Sequence, residues 1–242
     1  TSESSSMLEH GARTAAACHL PLVCIMRSSG ADIVEGFAAL HGWGRAARAL
    51  TECSGVVPTI LIVDGPAVSG PALLLGIADH VVMTEAAYAF VSGPTMVAEF
   101  TGVVIDNDEL GGAASHARYS GAATLVASGL EDAIAAAAQL LAYLPQHNDD
   151  EAPAWSTDDP IERQTPEAGE LMPSTSTGSY DVRAVIRAIA DDGELLELRP
   201  RWANNVVTAF TTIGGMPVGV VANQPLALAG TLDIPASQKA AR

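Results

Sequence analysis

Lysine is almost absent from this chain of 242 residues, in which Lys239 is the only one. Acidic residues outnumber basic ones, with 28 Asp and Glu against 12 Lys and Arg, and the formal net charge is −16. No basic stripe is present, so the sequence argues against a nucleic-acid partner. Apolar runs are also too short for a bilayer, because a spanning helix needs about 20 consecutive apolar residues. The sequence therefore predicts no nucleic-acid binding and no membrane association.

Cysteine is scarce as well: the chain contains only Cys18, Cys24 and Cys53. Their spacing fits no metal-ligand pattern, so no metal site is expected. The odd number of cysteines and the lack of a secretory signal predict a reducing, cytoplasmic location. Hydrophobic residues make up 48% of the chain and charged residues 17%, which suits a well-filled globular core.

The most informative stretch is Asp64–Met83, DGPAVSGPALLLGIADHVVM. The apolar, β-branched run Thr59–Val63 stops at Asp64-Gly65-Pro66, and the small residues Ala67–Gly70 follow. Pro71 then opens an apolar helical segment, as proline favours the first helical positions. Backbone N–H groups at such a strand-to-helix turn have no internal partner and can hold developing negative charge. The stretch therefore predicts chemistry at a carbonyl, performed by backbone amides.

Strand and helix signals alternate over the first part of the chain, which predicts an α/β fold with parallel strands and right-handed crossovers. Helices are expected over Met7–Cys18, Ile33–Leu50, Pro71–Ile77, Ala122–Ala127 and Leu130–Leu144. Short strands are expected over Pro21–Met26, Pro58–Val63, His80–Thr84 and Tyr88–Val91.

The composition changes after residue 145. Pro145–Ser179 is acidic, proline-rich and then rich in Ser, Thr and Gly, which predicts an irregular linker. Beyond it, Asp181–Ala190 has one apolar face and predicts a helix capped by Asp181. Ile213–Met216 lies between two apolar runs and predicts a hairpin. The expected organisation is a first domain over 1–145, a linker over 146–179 and the start of a second domain over 180–242.

The two ends of the chain are weakly similar. Gly230–Arg242 and Thr1–Arg13 are both Ser/Thr-containing loops that enter a helix reaching Ala-Arg. Chance similarity and a true internal repeat both explain this. A true repeat implies a fragment that begins after the hairpin of one unit and ends after the hairpin of a second.

Several short segments, taken in chain order, resemble the motifs of one enzyme family. They are Ser28–Gly36, Asp64–Met83, Glu109–Ala113 with His116, Ser120 and Gly121, Tyr143–Pro145, Asn223–Pro225, Leu232–Ile234 and Lys239–Arg242. Asp64–Met83 resembles the oxyanion-hole segment of the crotonase superfamily. The ordered set resembles the carboxyltransferase (β) subunit of biotin-dependent acyl-CoA carboxylases, of the propionyl-CoA and acetyl-CoA carboxylase type. The resemblance covers essentially the whole chain.

This resemblance implies a crotonase-like (ClpP/crotonase) ββα superhelix, with a nearly complete first domain that lacks its first hairpin and the opening of a second. It also implies transfer of a carboxyl group from carboxybiotin, carried on a partner protein, to the α-carbon of an acyl-CoA. A thioester enolate would form and would be held by the backbone at Ser69 and Gly70. Gly30, Ala31, Gly111 and Gly112 are the implied substrate-binding residues. Implied partners are acyl-CoA, a biotin carboxylase or biotin carrier subunit, and further copies of the chain in a hexamer built from dimers.

The chain departs from the family pattern at several of these positions. The family has Gly-Gly where this chain has Ser69-Gly70. The family loop Asp-Ser-Gly-Gly-Ala-Arg is replaced by Arg27-Ser28-Ser29-Gly30-Ala31-Asp32, and a family His is replaced by Thr124. A divergent or inactive structural subunit of a carboxylase complex is therefore an alternative.

A biotin-independent acyl-CoA enzyme of the crotonase type is a second alternative. A hydratase of this type would need two positioned carboxylates, for which Glu85 and Glu99 are the nearest candidates. Structural roles also compete with the functional ones. Gly70 and Gly30 can form ordinary turns, Gly111-Gly112 can serve close packing, His116 can be a hydrogen-bonded structural histidine, and Trp43 can be a core residue.

Overall fold

The computed structural model describes residues 1–175 and 178–242. The chain divides into two compact units, Thr1–Glu151 and Ala152–Arg242. Within the described ranges, none of the helices combines the length and the apolarity that crossing a bilayer requires. The predicted domain boundaries at 145 and 180 stay predictions.

The first unit alternates helices and strands, as its sequence pattern predicts. Its elements are α1 (Ser2–Cys18), β1 (Leu22–Ser28), α2 (Phe37–Cys53), β2 (Thr59–Val68), α3 (Gly70–Leu74), β3 (His80–Thr84), β4 (Tyr88–Phe90), α4 (Pro94–Thr101), α5 (Asn107–Gly111), α6 (Ala113–Ser115), a π-helical turn (His116–Ser120), β5 (Leu125–Ala127) and α7 (Leu130–Ala142).

The five strands of this unit form one parallel sheet in the order β1-β2-β3-β5, with β4 paired to the far end of β2. The central strands are buried on both faces, and Ile60, Leu61 and Ile62 are fully enclosed. A parallel sheet covered by crossover helices requires such continuous apolar strands. The predicted α/β class with parallel strands is therefore confirmed.

Two sequence-based boundaries in this sheet are wrong. Strand β2 does not stop at Asp64-Gly65-Pro66 but continues to Val68, because its last three residues pair with Tyr88–Phe90 of β4. Ala122–Ala127 is not helical, since Leu125–Ala127 forms strand β5 beside β3. Thr124 anchors this strand: its Oγ1 accepts the Val81 N–H at 3.1 Å, and its own N–H donates to the Val81 carbonyl at 2.7 Å.

The second unit is built on a three-stranded antiparallel sheet in the order β6-β7-β8. Its elements are α8 (Pro166–Glu170), α9 (Val182–Ile189), a 3₁₀ turn (Asp191–Gly193), β6 (Leu196–Leu198), β7 (Val206–Ile213), β8 (Met216–Asn223), a second 3₁₀ turn (Leu228–Gly230) and α10 (Ile234–Ala241). The predicted helix and hairpin are both present. The Asp191 carboxylate accepts the N–H groups of Gly214 and Gly215 at 2.9 and 2.8 Å and so fixes the hairpin turn.

Among its described residues, the stretch predicted as an irregular linker contains the short helix α8. Arg163, which precedes α8, donates to the carbonyls of Ala188 and Ala190 at the end of α9, at 3.1 and 3.3 Å. Trp155 N–H donates to the Gly215 carbonyl at 2.7 Å. These bonds tie the stretch to the second unit. Ser176 and Thr177 of the predicted Ser/Thr cluster lie outside the described residues.

Both weakly similar ends of the chain are helices with a side-chain N-cap. Thr1 Oγ1 accepts the Ser4 N–H at 3.3 Å, and Asp233 Oδ1 accepts the Ala236 N–H at 3.0 Å. Asp181 caps α9 in the same way, as predicted, by accepting the Arg183 N–H at 3.0 Å. Each cap satisfies a backbone donor that the helix itself leaves without a partner.

Candidate functional site

The candidate site lies where β1 and β2 end, at the same edge of the parallel sheet. The register between them shifts between Met26 and Ser28, so that Asp64–Pro66 bulges opposite the single residue Arg27. The Arg27 side chain lies across Gly65, where a Cβ would be 2.8 Å from Arg27 Nε. Gly65 has a φ of 106°, which few other residues adopt. The bulge carries β2 past the end of β1 and places the next turn beside the loop that follows β1.

Ser69 forms this turn in a strained backbone conformation, with φ 64° and ψ −127°. A side chain at such a φ is disfavoured, since Cβ crowds the backbone. The Ser69 N–H donates to the Phe90 carbonyl at 2.9 Å and so continues the pairing of β2 with β4. Sheet pairing therefore already uses this N–H, and the predicted catalytic role of Ser69 stays a prediction.

Gly70 presents the amide that the turn leaves open. Its N–H reaches no acceptor among residues 1–175 and 178–242, since it lies at the first position of α3 and the Ser69 side chain gives no cap. The other face of Gly70 is closed: a Cβ there would lie 3.0 Å from both Cβ and Cγ of Trp43. Gly70 is therefore held between the turn and α2, with its N–H unpaired. The enolate-binding role of this amide stays a prediction.

Gly30 and Ala31 approach the same turn from the loop after β1. Gly30 has a φ of 114°, and a Cβ on it would lie 3.3 Å from the Val68 carbonyl oxygen and 3.5 Å from Ser69 Cβ. The Gly30 N–H donates to Ser28 Oγ at 3.3 Å. The Ala31 N–H makes no hydrogen bond within the described part of the chain. The structure thus brings a second unpaired amide to the turn, on Ala31 and not on Gly30.

This loop also lines an open cavity of about 470 Å³, together with Arg27, Ser28 and Asp32. Ala31 is half-buried. Backbone amides without an internal acceptor can stabilise an oxygen that gains negative charge during a reaction, if both point to the same place.

Gly111 and Gly112 lie beside β4, and close packing against the backbone explains why both positions are glycine. A Cβ on Gly111 would be 2.1 Å from the Ala89 carbonyl oxygen, and one on Gly112 would be 2.7 Å from the Asp108 carbonyl oxygen. The Gly112 N–H already donates to the Asp108 carbonyl at 2.9 Å. Their predicted contact with substrate stays a prediction, and the geometry assigns them the support of β4.

His116 supports the same strand. Its Nε2 lies 2.8 Å from the Ala89 carbonyl oxygen, and its Nδ1 lies 2.8 Å from Ser120 Oγ. Both ring nitrogens are engaged, as a structural histidine requires. Glu85 and Glu99, the candidate hydratase carboxylates, are both exposed, one after β3 and the other on α4. Within the described ranges, no three His, Cys, Asp or Glu residues are grouped as metal ligands.

Sequence reasoning misses two residues of the site. The Phe90 carbonyl accepts a hydrogen bond from the Ser69 N–H, and the Trp43 side chain packs beside Gly70. Neither contact has a local sequence signal, because each joins segments far apart in the chain. The small residues at 69 and 70 are the one available sign that another part of the molecule approaches closely there.

Comparison with known proteins is consistent with this geometry. Residues 3–242 match the model of the carboxyl transferase domain family. The methylmalonyl-CoA carboxyltransferase 12S subunit of Propionibacterium freudenreichii subsp. shermanii is 40% identical over 221 residues, which are 91% of this chain and 42% of that protein. The propionyl-CoA carboxylase beta chain of Saccharopolyspora erythraea is 39% identical over 231 residues, which are 92% and 42% of the two chains.

A crystal structure of the transcarboxylase 12S hexamer, with hydrolysed methylmalonyl-coenzyme A bound, superposes with a TM-score of 0.96 at 37% identity. It matches 99% of this chain and 47% of its own length. The chain thus spans less than half the length of the relatives it matches, and the predicted crotonase-like α/β fold is confirmed. By its sequence and its fold, the chain belongs to the carboxyl transferase domain family.

Proposed function

We propose that this chain is part of the carboxyltransferase component of a biotin-dependent acyl-CoA carboxylase. The observation that carries the proposal is a pair of backbone amides without an acceptor, one on Gly70 in the turn and one on Ala31 in the loop whose Gly30 contacts that turn. An acyl thioester placed there would accept hydrogen bonds from both amides at its carbonyl oxygen. Family membership supports the same function.

The proposed chemistry is transfer of a carboxyl group through a thioester enolate. Carboxybiotin, when bound, would supply CO₂ by cleavage of its C–N bond and a basic biotin anion as the acceptor for the α-proton. Loss of that proton from the acyl-CoA would leave the electron pair of the C–H bond on the thioester enolate, whose oxygen the amides of Gly70 and Ala31 would hold. The enolate α-carbon then attacks CO₂ to form the new C–C bond. Because biotin takes the proton, the protein needs only to lower the energy of the enolate oxygen, and preorganised amides do this.

The partners of the reaction belong to the same proposal. The acyl-CoA and carboxybiotin are the substrates, and the biotin is carried on a separate biotin carboxylase or carrier subunit. The protein acts as a homo-oligomer, for which the hexamer of the 12S relative is the precedent. A cytoplasmic location is also proposed, and the three free cysteines accord with it.

Two alternatives make different predictions. A hydratase needs paired carboxylates, and the exposed Glu85 and Glu99 lie on separate elements. A structural subunit needs no open amides, and the departure from the family pattern at Ser69, where the family has glycine, is the feature that favours this alternative.

A transfer assay on the complete natural protein with its partner subunits tests the proposal. We expect biotin- and ATP-dependent incorporation of labelled bicarbonate into acetyl-CoA, propionyl-CoA or a longer acyl-CoA. The three substrates are compared in parallel, and tight-binding avidin serves as the control that removes biotin. Normal CoA binding with no incorporation into any of the three would contradict the proposal and would favour the structural subunit.

A further inference from the structure

Ser69 has the one polar side chain in the turn Ala67–Gly70 of the candidate site. Its φ of 64° and ψ of −127° lie where glycine is the ordinary residue. Strained conformations persist when the surrounding structure fixes them, and they cluster at functional sites. The retention of a side chain here therefore calls for a role that glycine could not fill.

The surroundings fix the direction of this side chain. Before Ser69, Val68 is paired with Phe90, and the Ser69 N–H donates to the Phe90 carbonyl at 2.9 Å. After it, Gly70 is pressed against Trp43. With both neighbours held, the backbone of Ser69 cannot rotate to relieve its strain. Its Cα–Cβ bond therefore keeps a single orientation.

That orientation places the side chain beside the loop after β1. A Cβ built on Gly30 would lie 3.5 Å from Ser69 Cβ, so the two residues are neighbours across the site. Ser69 thus adjoins both open amides. It directly precedes Gly70 in the chain, and it contacts Gly30, which directly precedes Ala31. Ser69 is half-buried, and its hydroxyl makes no hydrogen bond with any residue in the described ranges. A recessed hydroxyl that the protein leaves unpaired is available to a ligand.

We propose that the Ser69 hydroxyl is a third hydrogen-bond donor to the thioester oxygen, alongside the amides of Gly70 and Ala31. The inference rests on the proposed enolate chemistry and adds a side-chain donor to it. As the α-proton leaves, charge grows on the thioester oxygen and the bond from Ser69 Oγ strengthens. The hydroxyl therefore acts mainly on kcat and has little effect on binding of the distant CoA moiety.

Two substitutions separate the hydroxyl from the backbone strain. Ser69→Ala removes the hydroxyl and keeps Cβ with its strain, whereas Ser69→Gly removes both. Both are assayed in the complete natural protein, with labelled bicarbonate, carboxybiotin generated by the partner subunit, and propionyl-CoA. We expect each variant to lose roughly 10- to 100-fold in kcat, as for a hydrogen bond to a charged oxygen. KM for propionyl-CoA should change less than threefold.

Ser69→Thr, which restores a hydroxyl on the same Cβ, should recover part of the lost kcat if the protein folds. Unchanged kcat in Ser69→Ala, with an active wild-type protein, would overturn the third-donor role while leaving the proposed function intact. Loss in Ser69→Ala with full activity in Ser69→Gly would also overturn it, because strain and bulk would then explain the effect. A wild-type protein that transfers no carboxyl group would instead count against the proposed function itself.

Discussion

The Trp43 side chain closes the space beside the α-carbon of Gly70, where a Cβ would be 3.0 Å from the Trp43 Cβ and Cγ atoms. Trp43 is buried, with an exposed fraction of 6%, on the 17-residue helix α2. A contact of 3.0 Å between carbon atoms is tighter than close packing normally allows, so a side chain at position 70 must push the indole or the turn by a few tenths of an ångström. The Gly70 amide is thereby fixed in place from outside the turn.

We predict that Gly70→Ala lowers kcat for carboxyl transfer by about 100- to 1,000-fold, the range for losing one preorganised donor to an oxyanion. The added methyl group moves the amide away from the thioester oxygen. Gly44→Ala is the matched control, because Gly44 lies one residue from Trp43 on α2 and has open space around its α-carbon. Gly44→Ala should retain activity. Wild-type kcat in Gly70→Ala would show that this amide is not used.

We predict that Ser69→Gly raises the stability of the protein. Its φ of 64° strains any residue with a Cβ, and such strain costs about 1–3 kcal/mol. Part of the gain is offset, since glycine adds about 0.5–1 kcal/mol of conformational entropy to the unfolded chain. The midpoint of thermal unfolding should rise in Ser69→Gly and stay near the wild-type value in Ser69→Ala. Equal midpoints in the two variants would contradict the strain.

We predict that Gly111→Ala destabilises the first unit by at least about 2 kcal/mol, as overpacking does. Its Cβ would lie 2.1 Å from the Ala89 carbonyl oxygen, a backbone atom that cannot rotate away. Gly76→Ala is the control, because the nearest atom to its Cβ would be the Leu73 oxygen at 3.6 Å. Soluble yield and urea unfolding measure the effect. A folded Gly111→Ala protein with weakened CoA binding would favour the substrate-contact role instead.

We predict a pH-dependent gain in stability from Lys239. Its ammonium is buried and donates to the Trp202 carbonyl at 2.9 Å. Burial lowers the pKa of Lys239 from 10.5 to about 8. Between these two pH values the unfolded chain binds more protons than the folded one, so the free energy of unfolding rises with pH. Below pH 8 both states are protonated and no slope is expected from this group.

Urea unfolding at half-unit steps from pH 7 to pH 10.5 measures this slope as a difference between wild type and Lys239→Met. The wild type should gain relative to the methionine variant only above about pH 8. Lys239→Arg keeps a permanent charge and should lack the gain. Parallel curves for wild type and Lys239→Met would contradict the lowered pKa.

The sequence predicts the local part of the site well. The apolar strand, the small-residue turn and the proline at the second position of α3 are all set by neighbouring residues, and each is found. The expected length of β2 fails because the partner that extends it, β4, lies farther along the chain. Pairing of the end of β2 with β4 therefore overrides the ordinary turn signal of Asp64-Gly65-Pro66.

Distant pairing also decides which amides stay open. The Ser69 N–H donates to the Phe90 carbonyl, whereas Ala31, one of the substrate-binding residues that the family resemblance implies, keeps an N–H without an acceptor among the described residues. Ala122–Ala127 shows the limit of propensity: alanine favours helix, yet Thr124 and Val81 exchange two hydrogen bonds that fix the start of a strand. Such long-range pairings decide which donors remain, and single-sequence patterns do not contain them.

The bulge of β2 constrains how many residues the chain can carry at this point. Three residues, Asp64–Pro66, stand opposite Arg27 alone, and they set the distance from Val63 to the turn. Side chains and amides of a strand alternate in direction with each residue. Insertion or deletion of one residue between Val63 and Ala67 would turn the Ser69 N–H away from Phe90 and rotate the Gly70 amide with it. Related proteins should therefore differ in which amino acids they have between Val63 and Ala67, but should have the same number of residues there.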